Sequence, residues 1–217
     1  MSYPHERQIE YWTSRAIEEY FAGQHYYVVV IPNSQRLEKQ IPFDHLFAGS
    51  QIKVFGLQYK RLYNRPDHWR LDYDQHRRLL VFEWIYYALS EVRSIQEQCN
   101  ALHLLKIVEP REIDPPVLTV PGYQSKEFQV HQLGSIHYTR WGGFVQALWG
   151  CEYGWQLRSI EEALQVFRIA REIGEALIDI YFVTLGRNRL LVRVSPFIAP
   201  VTEEEQRFDW GFELAGE

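Results

Sequence analysis

Gln51-Ile-Lys-Val-Phe-Gly-Leu-Gln-Tyr-Lys60 is the stretch on which the reading of the fold turns. It follows Ile41-Pro-Phe-Asp-His-Leu-Phe47 and the turn residues Ala48-Gly49-Ser50. Two apolar runs around a Gly-Ser turn predict a β-hairpin. Successive strand side chains point to opposite faces, so Val54, Gly56, Gln58 and Lys60 share one face. Gln58 and Lys60 then point the same way, and Asp44 sits on the partner arm of the expected hairpin.

Working outward toward the start of the chain, residues 5–22 predict an amphipathic helix. Ile9, Trp12, Ala16, Ile17, Tyr20 and Phe21 fall in one arc at the helical repeat, and Gly23 is the expected stop. Glu6 and Glu10 lie inside that apolar arc, Glu10 between Ile17 and Phe21. A buried-type strand, His25–Ile31, follows and ends at Pro32. Downstream, residues 61–78 are polar, aromatic and basic, and 79–106 mix helix and strand features. Pro110, Pro115, Pro116 and Pro121 mark a break. Beyond it the spacing predicts a helix near 141–149, a helix at 159–178 and a hairpin at 179–195 turning on Gly186-Arg187-Asn188. This order fits an α/β or α+β protein.

Pro42-Phe43-Asp44, thirteen further residues and then Gln58-Tyr59-Lys60 resemble the PD-(D/E)XK nuclease superfamily. The glutamine in place of the usual middle acid resembles its Mrr-like restriction-endonuclease branch. The resemblance covers roughly residues 5–90. It implies an α/β fold with a mixed central sheet flanked by helices: a restriction-endonuclease-like core over 1–112. Residues 113–199 would be a C-terminal α/β extension or part of the same domain, and 200–217 an acidic tail. It also implies a Mg²⁺ site (Mn²⁺ substituting) built from Asp44, Gln58, the Tyr59 carbonyl and Glu10, the last on the helix preceding the sheet. Mg²⁺ takes oxygen ligands and keeps several waters, so one or two carboxylates suffice. Lys60 would orient the attacking water or stabilise charge on the phosphate. Gln58 removes one negative charge from that set. The tripeptide alone is weak: Gln51-Ile52-Lys53 and Gln124-Ser125-Lys126 match it too. Only Gln58-Tyr59-Lys60 closes an alternating strand with an Asp on the partner arm and a helix upstream.

The net charge of −5 speaks against a histone-like binder. It all resides in Val194–Glu217, which carries six acids against one base, while the preceding residues balance. The stretch Leu57–Leu80 is locally positive: Lys60, Arg61, Arg65, Arg70, Arg77 and Arg78 outnumber Asp67, Asp72 and Asp74. Tyr59, Tyr63 and Trp69 are interleaved, a mix that suits phosphate contacts and base stacking. The same residues equally suit a solvated helix and loop.

Cys99 and Cys151 are too few and too far apart for a disulfide framework or a cysteine-rich zinc site. Cys151 is expected in the core. His45 alternates to the face opposite Asp44. Asp72, Asp74 and His76 read as solvated or paired with Arg70, Arg77 and Arg78, and Trp84, Tyr86 and Tyr87 as core. A polar start and no long apolar run predict a cytoplasmic protein without a membrane partner.

The function expected is a metal-dependent endonuclease or exonuclease. Its substrate would be DNA or RNA, and by family analogy its context defence against foreign nucleic acid. The alternative is an inactive nuclease-like subunit serving as a protein- or nucleic-acid-binding scaffold, alone, as a homo-oligomer or with a protein partner.

Overall fold

The structure is a computed structural model. It describes residues 3–31, 51–64, 66–115, 126–131, 133–134, 136–159, 162, 165–166 and 178–185. Asp44 and the 41–47 arm, Arg65, the 186–188 turn, the acidic tail, and most of the helix expected at 159–178 lie outside them.

Helix α1 (Glu6–Gly23) buries Ile9, Thr13, Ile17 and Phe21, the face its apolar spacing predicts. The helix ends at Gly23, the expected stop. The left-handed residue that closes it is His25, at φ 62°. Its N–H bonds to Ala22 O and the Tyr26 N–H to Phe21 O, a Schellman closure. The Tyr26 and Phe21 rings meet across it at 6.4 Å.

Strand β1 (Tyr27–Ile31) lies at one edge of a six-stranded sheet. The centre is β2 (Gln51–Lys60). β3 (Trp69–Asp72) and α2 (Tyr73–Leu79) form the crossover to β4 (Ile85–Ser90), which runs parallel to β2. β5 (Leu105–Val108) pairs antiparallel with β4. β6 (Glu127–Val130) pairs with β3 in a separate two-stranded ribbon. Helix α3 (Trp141–Trp149) leads to β7 (Trp155–Leu157), and β8 (Ile178–Leu185) returns to the middle of the sheet. The order is β1-β8-β2-β4-β5, with β7 also on β2.

This topology corrects the expected hairpin. β8 runs along one edge of β2 from Gln51 to Gln58. β7 takes the other edge at Ile52–Val54, and β4 takes it at Gly56–Lys60. A strand has two edges, and both are filled by partners from elsewhere in the chain. β8 and β7 come from the segment read as an extension, yet β8 lies between β1 and β2. Residues 1–186 accordingly form one compact unit.

β2 is buried on both faces. Phe55, Leu57 and Tyr59 pack with Ile9, Ile17 and Phe21 of α1 and with Trp141, Phe144 and Leu148 of α3. Phe55 stacks on Tyr181, centroids 4.9 Å apart. Ile52 and Val54 point the other way, into a cluster with Trp69, Leu71, Leu79, Phe128 and Val130. Each such large apolar side chain contributes about 1.5–3 kcal/mol by leaving water. Trp84, Tyr86 and Tyr87 are buried as expected. Cys151 is not: it is exposed, at φ 62° in the turn after α3.

That turn places Gly154 at φ 71°, where a Cβ would lie 2.6 Å from Leu148 Cδ1 and 2.9 Å from Val54 O. Its N–H bonds to the Tyr86 hydroxyl at 2.9 Å. Gly154→Ala should therefore cost about 1–3 kcal/mol. Gly142→Ala, in α3 with open space around the added methyl, should stabilise by about 0.5–1 kcal/mol. Urea midpoints of the two variants check this; an unchanged midpoint for Gly154→Ala refutes the packing account.

Candidate functional site

Lys60 ends β2 and is 9% exposed. Its Nζ lies 3.9 Å from Glu6 Oε1 on the first turn of α1. Glu6 also faces the backbone N–H of Arg61. Burial pushes the Glu6 carboxyl above its ordinary range, although Lys60 and Arg61 pull it down. A desolvated carboxyl thus faces a nearly buried ammonium where the central strand ends.

Gln58, two residues earlier on the same face as Lys60, is fully buried. Its Oε1 accepts from Gln75 Nε2 of α2 at 3.1 Å. Gln75 is placed by its own helix start: Asp72 caps α2 by accepting from the Gln75 backbone N–H at 2.8 Å. The Gln75 Oε1 is buried with no hydrogen-bond partner among the described residues. It is an oxygen donor of the kind a hard cation takes, next to Gln58. Among the described residues there is no group of three or more His, Cys, Asp or Glu suited to a metal. The carboxylate expected to anchor one, Asp44, lies outside them.

Glu10 is elsewhere. The β2–β8 register pairs Leu57 with Asp179 and Gln58 with Ile178, so Asp179 lies on the Leu57 face and Gln58 on the opposite one. Helix α1 packs on the Leu57 face, and there Glu10 meets Asp179. The sheet separates Glu10 from Gln58. It is Glu6, one helical turn earlier, that reaches Lys60. Arg15, a conceivable partner for Glu10, pairs with Glu19 at 2.9 Å.

Asp179 is 2% exposed. Its Oδ2 accepts from Ser14 Oγ at 2.6 Å. Ser14 Oγ lies 2.7 Å from the Tyr181 hydroxyl, which is 2.6 Å from that of Tyr59. Asp179 Oδ1 is buried without a close hydrogen-bond partner among the described residues. Burial, with the Glu10 charge beside it, pushes Asp179 up to about 7 against the pull of Ser14. Burial raises Glu10 as well. Two adjacent carboxyls, one of them buried, cannot both ionise cheaply, which favours the protonated form of Asp179.

The remaining residues sort by exposure. Arg61 and Arg70 lie over the ring of Tyr63, and Arg77 and Arg78 are exposed on α2. Trp69 and Tyr59 are buried, Trp69 donating to Ser90 O at 2.8 Å, so neither serves for base stacking. His76, expected in a solvated cluster, is 1% exposed and stacks on Tyr87. Asp72 is a helix cap. Sequence reasoning noticed Glu6 but chose Glu10. It passed over Gln75 and Asp179, although an acid in the apolar run Ile178-Asp-Ile-Tyr was a legible signal.

Comparison with protein families, curated proteins and solved structures finds no match.

The raised Asp179 carboxyl sets a pH dependence. Asp179 ionises near 3.8 when unfolded and near 7 when folded. The folded chain holds the proton more tightly, so this group's stabilisation is complete at low pH. It is lost as pH rises from about 4 to about 7, by at most about 1.4 kcal/mol per pH unit. Asp179→Asn cannot ionise. Its stability relative to the parent should therefore rise across that range and level off above it. Urea denaturation of both proteins from pH 5 to pH 8 reads this out; parallel stability curves would show that Asp179 is not held protonated.

Proposed function

We propose that the chain is a metal-dependent nuclease with a restriction-endonuclease-like core, acting on phosphodiester bonds of DNA or RNA. The observation that carries the reading is the placement of Lys60. It is nearly buried at the end of the central strand, on the face of Gln58, with Glu6 of the preceding helix against it. A lysine is costly to hold there without a charged task or partner.

In this reading Asp44, Gln58 and the Tyr59 carbonyl would hold Mg²⁺, with the unpartnered Gln75 Oε1 a further oxygen beside Gln58. The cation would lower the pKa of water and offset phosphate charge. The Lys60 ammonium stabilises negative charge developing on the phosphate, and Glu6 holds that ammonium in place. The packing of α1 on the sheet leaves Lys60 nearly buried and Glu6 partly buried, which strengthens both effects. Glu10 drops out of this set and serves the Asp179 pocket instead.

The scaffold reading has its own support. Gln58 Oε1 is already engaged by Gln75, and a neutral amide replaces the usual acid. Cleavage of supercoiled plasmid, single-stranded DNA and RNA in Mg²⁺ or Mn²⁺ separates the two. As a nuclease, the protein should lose at least about a hundredfold in rate on Lys60→Ala or Asp44→Ala, an effect of the size expected for a key charge-stabilising group. Glu6→Gln should lose less. Cleavage that survives both alanine substitutions, or no cleavage in either metal, removes the nuclease assignment.

A further inference from the structure

We infer that Arg61 and Arg70, braced on one tyrosine ring, form a clamp for the phosphate backbone of nucleic acid beside Lys60. The inference rests on the nuclease-like reading of that site and names the part of it that grips substrate.

A short loop builds the clamp. After β2 the chain turns, and Tyr63 and His68 close a two-residue bridge: Tyr63 N–H to His68 O at 2.8 Å and His68 N–H to Tyr63 O at 3.0 Å. Their rings stack at 5.4 Å and 20°. The Arg61 and Arg70 guanidinium carbons lie 4.2 and 4.3 Å from the Tyr63 ring centroid. His68 Nδ1 lies 2.7 Å from Pro66 O, a contact that needs the proton on Nδ1. Nε2 is then an acceptor, and Arg70 Nε makes a long contact to it at 3.5 Å. Among the described residues, only the Nε of Arg70 is so engaged, and its two terminal amino groups have no hydrogen-bond partner. Arg70 itself is exposed and Arg61 half-buried.

The charges around the clamp are lopsided. Asp67 is held by Arg93. Glu91 is shared by Lys106 at 2.9 Å and Arg140 at 2.7 Å. Glu6 is engaged by Lys60. Among the described residues, no ion pair joins Arg61 or Arg70 to a carboxylate. Arg61, directly after β2, and Arg70, in β3, therefore set two cations against one aromatic ring, and among the described residues the only carboxyl that feels either of them is Glu6, beside Arg61. Planar guanidiniums suit bidentate phosphate contacts, and the repeated phosphates of a nucleic-acid strand can engage both at once.

The test is equilibrium binding in EDTA, where no turnover occurs. The probes are a short fluorescein-labelled DNA duplex and single strand, titrated across a potassium chloride series, with polyglutamate as the competing polyanion. Arg61→Ala/Arg70→Ala should weaken binding at least about tenfold and flatten the slope of log affinity against log salt by about two. Arg61→Lys/Arg70→Lys should keep most of the slope while losing affinity. Tyr63→Leu should lose affinity and Tyr63→Phe should retain it, which separates bracing from the hydroxyl. An unchanged affinity and slope in the double alanine variant, at an unchanged melting temperature, overturns the clamp. So does polyglutamate competing as well as DNA. Because the measurement needs no cleavage, loss of the nuclease assignment and loss of the clamp are distinguishable: a clamp that binds without cleavage supports the scaffold reading.

Discussion

Every layer of this protein is organised by the double burial of β2. The strand has both edges hydrogen-bonded and both faces covered, so its backbone groups must find partners from distant parts of the chain. β8 supplies one edge; β7 and β4 share the other. The β2–β4 pairing is parallel, and a parallel connection needs a long crossover. That crossover is the segment containing Tyr63, His68, β3 and α2. The chain that satisfies the strand's backbone also carries the arginines and Gln75 to the end of the strand.

The polar residues near β2 divide according to face. Alternation sends Tyr59 toward α1, where it joins Ser14, Tyr181 and Asp179. It sends Gln58 toward α2, where Gln75 meets it. Lys60 terminates the strand, and its long stem lets the ammonium reach Glu6 on α1. These buried groups are costly unless paired. The structure meets that cost in two ways: the Asp179 carboxyl beside Glu10 is pushed up by burial, and Glu6 pairs with Lys60. The first lowers the charge held in the core. The second keeps a charge at its rim, where phosphate chemistry would use it.

Much of the architecture was legible locally. The apolar arc of α1, the β1 run, the alternation of β2 and the spacing of α3 each come from residues close in sequence, so period alone revealed them. The placement of β8 between β1 and β2 was not legible, because strand pairing is decided by contacts between residues more than a hundred positions apart. The choice between Glu6 and Glu10 was hidden for a related reason. Both lie in the apolar arc, and which one reaches Lys60 depends on how α1 lies on the sheet. α1 ends at Gly23, but the left-handed residue that closes it is His25, two positions on, where the Tyr26 and Phe21 rings meet.

By itself the sequence determined α1, β1, β2 and the helix at 141–149, and the shared face of Gln58 and Lys60, since those follow from local repeats. It also determined the local positive charge after Lys60. Only the tertiary structure decided which partners fill the two edges of β2 and that Glu10 lies beside Asp179. It alone decided that Arg61 and Arg70 meet on one ring. Those are matters of which distant side chains share a volume from which water is excluded, and no local period encodes them.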